Sequence, residues 1–184
     1  MRKNDRFSGI QIALHWAVFI LLIITYATIE LRGLAPRGTL ARQIVIGTHF
    51  SCGFAILLLM VARLFYKMKY ATPPIEPPNP RWQRYLANLT HALIYALFLV
   101  LPVLGVASRY WRGNDWALFG IGMPVAAPAN PELARTLIDL HETLAPLGYW
   151  LIGLHAAAAL FHHYFMRDNT LLRMMPARRD RPSA

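Results

Sequence analysis

Seven histidines lie in this 184-residue chain, and four of them fall in HETLAPLGYWLIGLHAAAALFHH, residues 141–163. The stretch is apolar almost throughout, and an ionisable side chain in a lipid-spanning helix marks a functional site by default. His141 and His155 are fourteen residues apart, close to four helical turns, so they share one face with a rise of ~21 Å between them. His162, seven residues beyond His155, keeps that face, whereas His163 turns away. One helix therefore offers imidazoles at two levels, each free to meet a partner from another helix. Two imidazoles closing on a metal from opposite sides suit a haem inside a helix bundle. With both axial positions taken, the iron transfers electrons rather than binding oxygen. Zinc would ask for more ligands, usually thiolate or carboxylate, at closer spacing.

The partners depend on the elements that carry them. Residues 10–31, 43–66, 86–110 and 133–165 form four apolar runs, each long enough for a bilayer crossing of ~20 residues. With 56% hydrophobic and only 15% charged residues, the chain reads as an all-α integral membrane protein, a four-transmembrane-helix bundle in a single membrane domain. The first run follows Arg2, Lys3 and Arg6 but is too long for a secretory h-region and lacks a small-residue cleavage site, so it reads as a retained helix. ATPPIEPPNP, residues 71–80, is half proline and reads as a stiff connector. The loop between the third and fourth runs is expected to fold over the outer end of the bundle. Asn130 and Pro131 suit a helix start, and Pro102 and Pro146 are expected to kink the helices that hold them.

The net charge of +10 is distributed too unevenly for a nucleic-acid surface. Of 19 Lys and Arg, only Arg32, Arg37, Arg42, Arg109, Arg112 and Arg135 fall on the side away from the termini. The rest, including Arg2, Lys3, Arg178, Arg179 and Arg181, place both termini and the basic tail, 166–184, in the cytoplasm. That tail can also meet anionic lipid headgroups. The single cysteine, Cys52, excludes an intramolecular disulfide.

This topology gives the histidines their depth. His15 lies in the inner half of the first helix and His155 near the inner end of the fourth. His49 and His141 lie near the outer ends of the second and fourth. The levels are therefore His15 with His155 and His49 with His141, which predicts two haems stacked along the membrane normal. Gly47, Gly53, Gly148 and Gly153 near these residues would leave room for a flat macrocycle. A lone buried histidine is more often an interhelical contact, and His91 reads either that way or as part of a quinone site. The alanine run at 156–159 is ordinary close packing.

At these residues the chain resembles the bacterial cytochrome b561 family over nearly its full length. The likeness is carried by IALHW around His15, THFSCG around His49, YATPPI in the connector and RGNDWALFG in the outer loop. HETLAPLGYWLIGLHAAAALFHHYF and the following DNTLLRMMP complete it. The resemblance implies a four-helix cytochrome with two haem b, in the bacterial inner membrane, that oxidises superoxide at the outer face and reduces ubiquinone. By motif match, His15 and His155 would hold the inner haem and His49 and His141 the outer one. His91 and His162 would fall where quinone and its proton supply are expected. No obligatory protein partner is implied. The other readings are an electron-transfer subunit serving a dehydrogenase or hydrogenase, and a non-enzymatic protein that binds haem or quinone. The six outer arginines, if some converge near the outer haem, would steer superoxide inward.

Overall fold

A computed structural model describes residues 6–176. Of the basic residues behind the charge asymmetry, Arg2, Lys3, Arg178, Arg179 and Arg181 lie outside the described residues.

Three of the helices begin at side-chain caps the sequence supplies. Ser8 opens α1 (Gly9–Glu30) with a reciprocal capping box to Gln11. Thr39 caps α2 (Leu40–Lys69) through the Arg42 N–H. The proline connector delivers α3 (Arg81–Arg112), which ends at Gly113 in the left-handed conformation with φ 72°. Asn130 caps α4 (Pro131–Leu144), with Pro131 at the first helical position. α5 (Leu147–Phe161) completes the fourth span.

Four helical stretches, 9–34, 40–69, 81–112 and 131–166, are long and apolar enough to cross a membrane. Their outward faces carry bare apolar side chains such as Ile20, Leu58 and Trp150, as a lipid-facing surface requires. Inside, Val18 and Leu22 of α1 pack with Ile56 and Met60 of α2 and with Leu97, Phe98 and Leu101 of α3. α1 lies against α2, α2 against α3, and α3 against both α4 and α5. The end of the bundle near Phe7 and Met174 is called proximal below, and the opposite end distal.

Two expectations from the sequence need correction. The run at 133–165 is two helices and not one kinked helix, because Pro146 has no N–H to continue the ladder and its ring crowds the carbonyl four residues back. The chain re-enters helix through tight bonds from the Gly148 N–H to Ala145 and from the Tyr149 N–H to Pro146. Pro102, by contrast, sits inside an unbroken α3. Gly148 does not make room for a macrocycle. A Cβ there would lie 1.9 Å from the Tyr26 hydroxyl, so the glycine admits a tyrosine that bonds the Ala145 carbonyl at 2.9 Å.

The long distal loop does fold over the bundle. It forms a short hairpin, β1 (Ala117–Leu118) paired antiparallel with β2 (Ile121–Gly122). Phe119 and Gly120, both at positive φ, make the turn that such two-residue hairpins favour. Leu118 and Trp116 are buried beneath it, and the Phe119 N–H reaches Ser51 of α2 at 2.9 Å. At the proximal end the tail folds back against the bundle. Arg173 donates to the Pro73 carbonyl at 2.8 Å, and Trp16 donates to Met174 at 2.9 Å.

The Gly148 contact makes a packing prediction. Tyr26 is held by its bond to Ala145 and by the Tyr149 ring 4.3 Å away, so it cannot retreat from an added methyl. Gly148→Ala is expected to cost about 1–3 kcal/mol. The check is the thermal midpoint of the purified protein, with Tyr26→Phe expected to recover part of the loss.

Candidate functional site

The histidines meet in pairs. The His15 and His155 rings have centroids 6.1 Å apart, with planes at 67°. His49 and His141 stand 6.3 Å apart at 79°. In each pair one imidazole comes from the first two spans and the other from the fourth, at matching depth. The two levels read from the sequence are the two pairs brought together here.

The distal pair is oriented by backbone. His49 donates its Nδ1–H to the Thr25 carbonyl at 3.0 Å, and His141 its Nδ1–H to the Leu101 carbonyl at 2.8 Å. A carbonyl only accepts, so Nδ1 carries the proton in both rings and Nε2 is left as an acceptor or metal ligand. A backbone carbonyl holding the far nitrogen is the usual support of a metal-ligating histidine. A Cβ on Gly105 would stand 3.5 Å from the His141 ring, so bulk there would press on the imidazole.

The proximal pair is a looser group. His91 lies 5.3 Å from His155, so three imidazoles cluster, and none has a hydrogen-bond partner among the described residues. They stand beside a cavity of about 440 Å³, with His91 in its wall. Arg63, Lys67, Arg84 and Arg173 also line this cavity, and among the described residues no carboxylate does. The Nε and Nη1 atoms of Arg63 and the Nε of Arg173 are buried without a partner. Orphaned cationic donors in an apolar setting call for an anion.

These observations test a haem against the site. An ion held between two imidazoles by metal–nitrogen bonds of about 2 Å sets ring centres roughly 6 Å apart, as both pairs have them. Among the described residues no group of three or more His, Cys, Asp or Glu could hold a metal ion, so an ion held by one pair must bring its other ligands with it. A porphyrin iron would do so, and its carboxylates are anions of the kind the orphaned arginines call for. An added Cβ at Gly47, Gly53 or Gly153 would meet open space. The residues fit the group.

His162 does not line the proximal cavity. Its Nδ1 lies 2.6 Å from Asp168 Oδ2 and 3.5 Å from Asn79, a cavity-wall residue. Asp168 was not legible beforehand, nor were Arg63 and Arg173 as cavity residues. The available signal was an acidic residue six positions past a histidine at the end of a span. Burial works against charging Asp168, but the Thr170 N–H and the His162 imidazole outweigh it and hold the carboxyl below its usual range.

The distal arginines divide. Arg32, Arg37 and Arg42 line one pocket of about 420 Å³ with Glu30, where Arg42 also donates to the Arg32 carbonyl. Arg109 stands apart beside the distal pair, over the Phe50 ring at 5.3 Å. Arg135 forms an exposed pair with Asp139, which contributes little.

Four apolar spans closed around facing imidazoles, too few in each place for a bare ion, make this a membrane cytochrome of the b type. The chain belongs to the prokaryotic cytochrome b561 family, whose pattern matches residues 6–177. It is 49% identical over 176 residues to "Probable superoxide oxidase CybB" of Yersinia pestis, covering 96% of this chain and 99% of that one. It is 44% identical over 175 residues to "Cytochrome b561 homolog 1" of Escherichia coli K12, covering 95% and 99%. "Cytochrome b562" of Cereibacter sphaeroides is 28% identical over 183 residues, covering 97% and 100%. The chain is thus a multi-pass bacterial membrane protein of an electron-transfer family that binds haem b.

Gly105→Val is expected to push His141 off His49 and lower the haem b content. A pyridine haemochrome assay against protein concentration is the check.

Proposed function

We propose that the chain is a superoxide:ubiquinone oxidoreductase of the bacterial inner membrane. It carries two haem b, one between His15 and His155 and the other between His49 and His141. The observation that carries this reading is the pair of 6 Å imidazole gaps, one at each end of the bundle. The 49% identity to a probable superoxide oxidase supports the choice of donor.

When bound, the two haems supply one-electron centres at two depths of the membrane. The residues do the rest. His49 and His141, locked by Thr25 and Leu101, turn their Nε2 atoms toward one another and would hold the iron between them, leaving it to electron transfer. Arg32, Arg37 and Arg42 gather positive potential at the distal mouth, where an anionic donor arrives. At the proximal end the basic cavity receives the quinone, with His91 in its wall and His162 behind Asn79. Two superoxide anions yield two oxygen molecules and two electrons. One quinone takes those electrons with two protons, so the proximal end must supply protons and the distal end need not. The proximal end then faces the cytoplasm, in keeping with its excess of Lys and Arg.

The decisive test is the purified single chain, mixed with superoxide and a soluble ubiquinone. Haem should be reduced by superoxide and reoxidised by quinone, at two haems per chain. Replacing His15 or His155 should empty one site and replacing His49 or His141 the other. One haem per chain would falsify the pairing. No reduction by superoxide, together with a stable co-purifying dehydrogenase or hydrogenase that does reduce it, would favour an electron-transfer subunit instead. The superoxide rate is expected to fall with added salt, and less steeply in Arg32→Gln, Arg37→Gln or Arg42→Gln, since such steering contributes roughly ten- to a thousandfold. A flat salt profile would remove the steering role and leave the haem sites untouched.

A further inference from the structure

The fourth span ends unlike the others. After Phe161 the chain widens into a π turn (His162–Met166), and Arg167 follows in the left-handed conformation with φ 54°. The Arg167 and Asp168 N–H groups both turn back to the His162 carbonyl. This reversal returns the chain onto the histidine six residues earlier. Asp168 Oδ2 then lies 2.6 Å from His162 Nδ1, the short distance of a charge-assisted bond. Asp168 is 4% exposed, and its other oxygen accepts the Thr170 N–H at 2.8 Å. With a different donor on each oxygen, the carboxylate has no free rotation.

A carboxylate only accepts, so His162 Nδ1 carries a proton and Nε2 is the nitrogen left to exchange one. The charged group that faces the pair from the tail is Arg173, whose guanidinium feels the Asp168 charge. The connector faces it with the neutral Asn79, and α5 contributes the Phe161 ring. His162 keeps 16% of its side chain exposed, which connects it to solvent.

We propose that Asp168 is a positioning residue for proton delivery: it holds His162 by Nδ1–H so that protons pass through Nε2 to the acceptor reduced in the proximal cavity. This rests on the superoxide–ubiquinone reading and deepens it. For each proton, an N–H bond breaks at Nε2 and an O–H bond forms on the quinone at the far end of a water relay, since His162 stands behind Asn79 and not in the cavity wall. The electrons come from superoxide, and the imidazole is reloaded from water on the proximal side.

Asp168→Asn isolates the charge, because the amide oxygen can still accept the Thr170 N–H. Histidine-labelled protein in nanodiscs, with the His162 signal assigned by its loss in His162→Gln, should show Nδ1 protonated in the wild type. In Asp168→Asn the side-chain NH2 would face His162 Nδ1, so the proton is expected to leave Nδ1 for Nε2 and the wild-type signal to be lost. Quinone reduction should slow at least about tenfold. Haem reduction by superoxide should be unchanged, and Asp168→Glu should restore part of the quinone rate. A purely structural clip would lower the thermal midpoint and leave the His162 tautomer in place, which overturns the proposal. Unchanged His162 signals in Asp168→Asn overturn it equally. A wild type that reduces no quinone overturns the functional reading and the delivery role with it, while the resonance spectrum reports separately whether Asp168 fixes the His162 tautomer.

Discussion

In hydrocarbon, an imidazole needs a partner for each nitrogen, and the bundle is organised around that need. At the distal level the carbonyls of Thr25 and Leu101 satisfy Nδ1 of His49 and His141. The same two bonds tie α2 to α1 and α4 to α3, so they fix helix register as well as ring orientation. Each contributes only about 1 kcal/mol as a neutral hydrogen bond. Their larger effect is to exclude the alternative tautomer and leave one nitrogen of each ring aimed at its partner. The proximal imidazoles have no such carbonyls, and one of them, His91, lies instead in the wall of a cavity lined by arginine and lysine.

The two ends are therefore unlike. The distal end is capped by its own loop, with Trp116 and Leu118 buried beneath the hairpin and Phe50 against Trp116 at 6.5 Å. The proximal end is closed by segments distant in sequence. Asn169 exchanges bonds with Glu76, Arg173 reaches Pro73, and the Phe7 N–H reaches Arg173. A rigid cap over one level and a polar, jointed enclosure beside the other suit a small donor at the first and a bulky, proton-taking acceptor at the second.

Much of this was written plainly in the chain. Apolar windows gave the four spans, and depth alone matched His15 with His155 and His49 with His141, because a membrane reduces the problem to one coordinate. Angle rested on a continuous helix from His141 to His155, which Pro146 interrupts, yet both rings still meet a partner. Gly148 looked like space for a macrocycle because a glycine shows an absence of bulk and not what fills it; Tyr26 fills it. The boundary of α3 at Arg81 lay five residues before its apolar run, where amphipathic turns carry no hydropathy signal. Asp168 was hidden for another reason. Its contact depends on a π turn and a left-handed arginine, neither of which has a residue pattern strong enough to read.

Both facing pairs share a property that concerns how the chain comes into being. Synthesis runs from α1 to α5, and each pair draws one ring from the first two spans and the other from the last. Neither gap exists until the final span has entered the membrane. The first three spans can already bury Ile56, Met60, Leu97 and Phe98 against α1 while His15 and His49 wait with open nitrogens. A ribosome that stalls before the fourth span thus leaves a bundle with a core and no site, and the two levels mature together in one late event.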